Sequence, residues 1–246
     1  MDGNKKLISL NRNQIKYIVI AAMLIDHIAW AFVPTDSLLG QIMHFIGRLT
    51  GPTMAYFVVE GYIHTRDVKK YAMRLGIFAL ISIIPFTLFE YGTLPIVIYS
   101  DGGVRLIPAF GVIYTLFLSL LAVWFWDKFD GPQWQKLLGI FALCLLSGFG
   151  DWPVFDVIYA LFFFKFKDDN KRKWFAFCVV SAAMAITMIA VGGIRQIFGI
   201  GVFMIPFMLT FCYNGECGSK KPIHKWFFYI FYPAHLLVLA IIKIAL

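Results

Sequence analysis

The most constraining feature of this sequence is an apolar segment that can cross a membrane and carries two polar residues near its middle. Residues 14–33 read QIKYIVIAAMLIDHIAWAFV, and no glycine or proline interrupts them. At about 1.5 Å per residue, their length suits a bilayer core of roughly 30 Å. Asp26 and His27 must face protein or water, since an Asp at mid-membrane costs about 3 kcal/mol. The pair is either a structural clamp between helices or a histidine whose basicity the carboxylate tunes.

Composition places the chain among polytopic membrane proteins. Hydrophobic residues make up 60% of it and charged residues 15%, whereas soluble domains carry about 25% charged residues. Apolar stretches of spanning length recur throughout, so we predict one domain over residues 1–246: an all-α bundle of nine transmembrane helices, with ten as the alternative. The predicted spans are 14–33, 41–64, 69–90, 107–126, 135–150, 153–166, 174–192, 196–213 and 225–244.

The basic residues predict the orientation of the bundle. With the N-terminus in the cytoplasm, all but four of the 22 Lys and Arg residues fall on the cytoplasmic side. We therefore expect a protein of the inner membrane, in contact with lipid. Topology and anionic headgroups explain the net charge of +8, so nucleic acid is not an expected partner. The four cysteines form no CxxC or paired-histidine pattern, and we predict no metal site.

The second predicted span carries more polar residues than an ordinary apolar helix needs. His44 and Arg48 lie one turn apart on it, and Glu60 lies near its cytoplasmic end. Arg74 lies at a similar depth in the next span, so we predict a structural ion pair between Glu60 and Arg74. Arg48 has no acidic residue within reach on its own helix, which favours a site-lining role. Pro52 predicts a kink because it removes a helical hydrogen bond.

Several stretches resemble the TraX family of integral membrane proteins. They are GR at 47–48, VVEGYIHT at 58–65, KKYAMRLGIFALISIIPF at 69–86, YNGECG at 213–218 and HKWFFYIFYPAHLLVL at 224–239. The dipeptide DH in the first span and the Asp151–Trp152 turn also match the family pattern. The chain departs from that pattern at Ile83, where a polar residue is common, and at Gly111, where Asn is expected. The resemblance covers essentially the whole chain and leaves the substrate open.

This resemblance implies a membrane acetyltransferase that uses cytoplasmic acetyl-CoA. The namesake of the family acetylates the N-terminus of conjugative pilin, and its members are distantly similar to membrane acyltransferases. Such a reaction needs a base for the acceptor, polarisation of the thioester and an anchor for the CoA phosphates. We predict His27 as the general base, with Asp26 fixing its tautomer. The acceptor is left open between a pilin-like amine, an envelope glycan and a small molecule.

The other expected site residues belong to the two substrates. Arg48 is assigned to the acceptor side, and the basic rim to the CoA phosphates. Tyr232 and His235 share one face of the last span, at a depth similar to that of His27. A histidine on an apolar face is more often a satisfied core residue, and for His235 we keep this alternative. The full binding set is Arg48, Arg66, Lys69, Lys70, Asn214, Lys225, Tyr232 and His235.

The alternative function is a proton-coupled transporter of small molecules. Its relay would consist of Asp26, His27, Glu60 and His64. The sequence has no internal repeat and no Gly- or Pro-interrupted helices in corresponding halves, which are typical of such transporters. We therefore place the acetyltransferase first.

Overall fold

The protein is a bundle of helices of unequal length. A computed structural model describes residues 8–98 and 103–246, and the regular structure of this part is helical apart from one pair of short strands. The predicted helical fold class is thus confirmed. The elements are α1 (Arg12–Phe32), α2 (Leu38–Gly47), α3 (Thr50–His64), α4 (Val68–Ile81), α5 (Ile83–Tyr91), β1 (Ile96–Ile98), β2 (Val104–Leu106), α6 (Val112–Lys128), α7 (Gln133–Ser147), α8 (Phe155–Lys165), α9 (Asn170–Gly192), a 3₁₀ helix (Ile194–Phe203), α10 (Met204–Phe207), a π-helical turn (Met208–Cys212) and α11 (Pro222–Ala245).

Five segments of the described chain are long and apolar enough to cross a membrane. They are Arg12–Phe32, Val68–Tyr91, Asn170–Gly192, Ile194–Cys212 and Pro222–Ala245. With the composition, these segments support a multi-pass membrane protein. The fifth and sixth predicted spans correspond to α7 and α8, which contain 15 and 11 residues. The number of nine spans and the cytoplasmic N-terminus stay predictions.

The second predicted span, 41–64, is divided in the structure. α2 ends at Gly47, and α3 begins at Thr50 after a turn at Arg48 and Leu49. Pro52 explains the break, because in a continuous helix its ring would clash with the carbonyl group of residue 48. The proline therefore causes a full break rather than a kink. As a result, Arg48 lies at a helix end, inside the bundle.

Close approach of α1 and α2 creates the centre of the site. Gly47 faces the side chain of Asp26, and a Cβ atom at position 47 would overlap the carboxyl group. Gly51, one turn later, faces the indole of Trp152 in the same way. Small residues at this spacing let membrane helices approach closely. Here they bring a carboxylate and an aromatic ring to the broken end of α2.

The start of α1 is fixed by its own cap and by a distant loop. Asn11 accepts a hydrogen bond from the N–H of Gln14, whose side chain accepts one from the N–H of Asn11. The N–H of Arg12 bonds to the carbonyl oxygen of Glu216 at 2.8 Å. The beginning of α1 is therefore tied to the loop 213–221, which leads into α11.

Candidate active site

α1 and α11 place two buried histidines side by side. Nδ1 of His27 lies 3.0 Å from Nε2 of His235, and the ring centroids are 5.0 Å apart. Nδ1 of His235 lies 2.8 Å from the carbonyl oxygen of Phe231, one turn earlier. Phe89 and Tyr232 contact the His27 ring edge-on. The similar depth expected for the two histidines thus corresponds to a direct hydrogen bond between them.

The carboxylate of Asp26 faces α2 and forms no hydrogen bond with His27 among the described residues. Its Oδ1 lies 2.7 Å from Nδ1 of His44, and its Oδ2 accepts a 2.7 Å hydrogen bond from Nη2 of Arg48. Adjacent residues project about 100° apart around a helix, so Asp26 and His27 reach different neighbours. The prediction that Asp26 fixes the tautomer of His27 is therefore wrong. The carboxylate balances the charge of Arg48 instead.

Arg48 is held by this carboxylate and by two aromatic rings. Its guanidinium carbon lies 4.9 Å from the ring centre of Trp152 and 5.3 Å from that of Phe198. Trp152 has a φ angle of 56° and Val154 one of 67°, which is a left-handed conformation that bulky residues rarely adopt. Backbone strain of this kind concentrates at functional sites. The strained turn presents its indole to the guanidinium group.

Asp26, His27 and Arg48 line a cavity of about 540 Å³ that we call the histidine cavity. Two further carboxylates line it, Glu90 and Asp151, and neither forms an ion pair with a described residue. Burial raises the pKa of the Asp151 carboxyl to about 6, although nearby Arg48 opposes the shift. The cavity is lined by Asp26, His27, Trp30, Arg48, Phe86, Phe89, Glu90, Tyr91, Pro108, Ala109, Phe110, Gly148, Phe149, Gly150 and Asp151.

A second cavity, of about 370 Å³, lies at the other end of α1, and we call it the basic cavity. No Asp or Glu is among the described residues that line it, whereas six cations are: Arg12, Lys16, Arg74, Lys220, Lys221 and Lys225. The ammonium group of Lys16 lies 5.5 Å from the ring centre of Phe57 and 5.1 Å from that of Phe228. The first turn of α11, which has no side-chain cap, lies beside this cavity, and the positive end of the helix dipole there favours an anion.

The structure separates the predicted cationic binding residues. Lys225 lines the basic cavity, and Arg48 lines the histidine cavity. Arg66, Lys69 and Lys70 are exposed and line neither of the two. Positive charge in a loop is thus a poor guide to a binding site, because these three residues remain exposed.

Asn214 and Tyr232 have structural contacts outside both cavities. The Asn214 side-chain oxygen accepts a 2.9 Å hydrogen bond from the N–H of Glu216, which orders the loop before α11. The Tyr232 hydroxyl accepts one of 3.0 Å from the N–H of Val112, at the start of α6. A Cβ atom at Gly111 would overlap this hydroxyl. The chain therefore carries glycine where the family pattern has Asn.

Glu60 pairs with Arg12 and not with Arg74. Nε of Arg12 donates a 2.9 Å hydrogen bond to Oε2 of Glu60, and the Tyr213 hydroxyl donates one of 2.5 Å to Oε1. The predicted Glu60–Arg74 pair is wrong because similar depth in the membrane does not determine which helices are neighbours. Arg74 lines the basic cavity, where its Nε is buried without a hydrogen-bond partner among the described residues.

Sequence reasoning missed two groups of site residues. His44, which is fully buried against Asp26, was noticed but assigned no role. Lys16, Lys220 and Lys221 were counted only as topology signals, although all three line the basic cavity. A usable signal was present, since two lysines directly before a helix that begins with proline mark a cationic N-terminus.

Comparison with known proteins decides the family. The family described as TraX protein matches residues 11–243, which is nearly the whole chain. The chain belongs to the TraX family. It is 30% identical over 251 residues to the probable fimbrial assembly protein FimC, serogroup H1, of Dichelobacter nodosus, and the match covers 95% of this chain and 96% of the relative. No solved structure gives a significant match.

The stretches that carried the resemblance meet at the two cavities of this TraX protein. Glu60 in VVEGYIHT bonds to Tyr213 in YNGECG beside the basic cavity. Asp26 and Trp152 both contact Arg48 beside the histidine cavity. Residues far apart in the sequence therefore build two compact polar centres, one at each end of α1.

Proposed function

We propose that this TraX protein is a membrane acetyltransferase that transfers an acetyl group from acetyl-CoA to an amine or hydroxyl acceptor. One observation carries the proposal: a cavity lined by cations is paired with a second cavity lined by His27. Lys16 and His27 lie on the same helix, and the residues between them rise roughly 16 Å. This separation suits a donor with phosphates at one end and a reactive thioester at the other end of a long pantetheine arm.

The basic cavity is the proposed site for the CoA phosphates. Several features fit an anion there: the excess of cations, the uncapped first turn of α11, and the buried Nε of Arg74, which has no partner among the described residues. Lys225 remains in this proposed site. Arg66, Lys69 and Lys70 are left out of it, because they do not line the cavity.

His27 is the proposed general base. Its ring lines the histidine cavity, and its contact with His235 is made through Nδ1, so Nε2 is the nitrogen proposed to act as the base. In a direct transfer, this nitrogen takes the acceptor's proton while the acceptor's nitrogen or oxygen bonds to the acetyl carbon. The carbon–sulfur bond breaks, and the proton returns to the departing thiolate. Direct transfer needs fewer steps than a route through an acetylated histidine.

The family and the relative support a role in pilin processing or fimbrial assembly. The relative is named a probable fimbrial assembly protein, which favours a pilin-like acceptor over an envelope glycan or a small molecule. We place the protein in the inner membrane with its N-terminus in the cytoplasm, as the basic loops predict. The basic cavity then opens toward cytoplasmic acetyl-CoA.

The transporter alternative lacks a connected relay in the described chain. Glu60 bonds to Arg12, and Nδ1 of His64 bonds to the Glu60 carbonyl oxygen at 2.8 Å. Asp26 and His27 lie near the other end of α1, and the helix rises roughly 21 Å from residue 12 to residue 26. The four groups thus form two separate sets. The acetyltransferase is the better supported function.

Two measurements on the purified protein in nanodiscs test the proposal. Calorimetric titration with acetyl-CoA tests the donor site. Transfer of labelled acetyl groups to a synthetic peptide with a free N-terminal amine, and to glucosamine as a sugar acceptor, tests the reaction. We expect acetyl-CoA to bind and the peptide to be labelled. His27→Ala should reduce transfer by about 10²–10⁴ while acetyl-CoA binding survives.

Each part of the proposal has its own contrary result. The donor site is excluded if millimolar acetyl-CoA produces neither heat nor thermal stabilisation, because a ligand of the native state must raise apparent stability. Full transfer by His27→Ala excludes the base. Stoichiometric label on His27 without acceptor, together with free CoA, replaces direct transfer by a covalent route.

A further inference from the structure

His235 lines neither the histidine cavity nor the basic cavity, yet it contacts the proposed base. The residue is buried in α11, and its ring stacks on Phe231 with centroids 4.8 Å apart and planes 15° apart. The backbone bond to Phe231 and this stacking fix both the position and the plane of the ring. A side chain held in this way lines neither cavity, and its second ring nitrogen contacts His27.

The hydrogen bonds of the pair determine where each proton lies. A carbonyl oxygen only accepts, so Nδ1 of His235 carries the proton that bonds to Phe231. A neutral imidazole has a single N–H, and Nε2 of His235 is therefore an acceptor. Nδ1 of His27 must then be the donor in the 3.0 Å contact. This leaves the lone pair of His27 on Nε2, which is the form that a general base requires.

We propose that His235 is a positioning residue that fixes the tautomer of His27. The proposal rests on the proposed role of His27 as the base. It gives His235 the task that sequence reasoning assigned to Asp26, which is occupied by His44 and Arg48. A neutral histidine can perform this task without adding a second buried carboxylate to a site where Asp26 and Arg48 already balance each other.

The same contact stabilises the charged form of the base. When Nε2 of His27 takes a proton from the acceptor, the imidazolium keeps its Nδ1–H bonded to Nε2 of His235. The proton later leaves from Nε2 of His27 to the thiolate. His235 itself neither gains nor loses a proton, and it never touches a substrate.

Two substitutions separate this role from simple packing. In His235→Gln, the side-chain oxygen can accept from His27 while the amide donates to the Phe231 carbonyl. In His235→Leu, the space is filled but neither bond is possible. Leu236→Ala changes the neighbouring residue of α11, which is fully buried, and serves as the packing control.

Nitrogen NMR of ¹⁵N-histidine-labelled full-length protein in nanodiscs reads the tautomer directly. The chain has only five histidines, and a His27→Gln sample assigns the signal of interest. We expect one His27 tautomer in the wild type, with the proton on Nδ1. His235→Gln and Leu236→Ala should keep it, whereas His235→Leu should show a mixture with the proton on Nε2.

Transfer rates with the synthetic peptide complete the test. We expect His235→Leu to lower the rate about tenfold or more at unchanged acetyl-CoA affinity, and His235→Gln to recover most of it. An unchanged tautomer in His235→Leu, or a wild-type proton on Nε2, overturns the proposal. Equal rate losses in His235→Leu and Leu236→Ala also overturn it. If the wild type transfers no acetyl group, the proposed function fails, while the nitrogen signals still decide the role of His235.

Discussion

The basic cavity and the histidine cavity differ in whether the protein pairs the charged side chains at their centres. In the histidine cavity, Asp26 has two partners, and Arg48 has a carboxylate and two rings. In the basic cavity, Lys16 and Arg74 have no carboxylate within ion-pair distance among the described residues. The Asp26–Arg48 pair of the histidine cavity is thus charge-balanced before any substrate arrives. In the basic cavity, Lys16 and Arg74 can be neutralised only by an anion from outside the described part of the protein.

This difference follows from what each region must do. A group that takes part in chemistry works best when its neighbours already hold its orientation and protonation state. A binding site for a strongly anionic ligand works best when its cations are not neutralised by the protein itself. The two designs therefore predict different responses to mutation: loss of stability when the Asp26–Arg48 pair of the histidine cavity is broken, and loss of ligand affinity when a cation of the basic cavity is removed.

The largest effect should come from breaking the charge balance around Asp26. Asp26→Asn leaves Arg48 buried without a carboxylate, so we expect the free energy of unfolding to fall by about 3–5 kcal/mol. The double variant Asp26→Asn, Arg48→Met should lose less than Asp26→Asn alone. Thermal and denaturant unfolding in detergent measure both. The exposed pair of Asp36 and Arg195 is the control, and Asp36→Asn should cost less than about 1 kcal/mol. Equal losses of unfolding free energy in Asp26→Asn and Asp36→Asn would contradict the special role of the buried pair.

Asp151 sharpens the comparison because it is a carboxyl group of the histidine cavity without an ion-pair partner among the described residues. Its pKa is raised to about 6, so the folded state keeps a proton that the unfolded state releases above about pH 4. Stability should therefore fall as the pH rises from about 4 to 6 and then level off. Asp151→Asn should remove this fall and add about 1–3 kcal/mol at neutral pH. Melting temperatures across that range test it, and parallel curves for variant and wild type contradict it.

Affinity for acetyl-CoA tests the open design of the basic cavity. Lys16→Gln removes one unpaired cation, so we expect roughly tenfold weaker binding, or about 1.4 kcal/mol, with little change in melting temperature. Lys69→Gln is the matched control because this lysine is exposed and lines neither cavity. Calorimetry measures both. Equal losses for the two variants would mean that net charge, not the cavity, attracts the donor.

The smallest effect concerns Arg12, the basic-cavity cation that the protein itself neutralises. A double-mutant cycle with Glu60→Gln and Arg12→Met should give a coupling energy of about 1 kcal/mol, because both side chains are mostly buried. The corresponding cycle for Glu60 and Arg74 should give no coupling. Chemical unfolding of the four variants measures each term. Coupling to Arg74 instead would restore the pairing that was predicted from helical depth.

Helices were predictable from the sequence, but their breaks and lengths were less so. The segment 14–33 was correctly predicted because long apolar periodicity has one stable outcome in a bilayer. The division at Arg48 was missed, since a proline inside an apolar run is compatible with a kink or a break. Only the packing of Gly47 and Gly51 against their neighbours shows why a break is tolerated here.

The residues of the site were largely identifiable, whereas their partners were not. The sequence pointed to four of them, because ionisable groups inside apolar helices are rare and usually functional. These are Asp26, His27, Arg48 and His235. The pairing of Asp26 with His27 was wrong, because the partner of a side chain depends on which helix lies beside it. Neighbours along the chain, such as Asp26 and His27, point about 100° apart on a helix and do not face each other.

The sequence by itself determined that this protein is helical, lies in a membrane and belongs to the TraX family, because composition, periodicity and motif are properties of the chain alone. Only the tertiary structure decided that His27 bonds to His235, that Asp26 serves Arg48, and that loop lysines gather beside α11. The physical reason is that hydrogen bonds and ion pairs act over a few ångströms. Contacts between residues on different helices are therefore set by how the helices pack, and not by the spacing of the residues in the sequence.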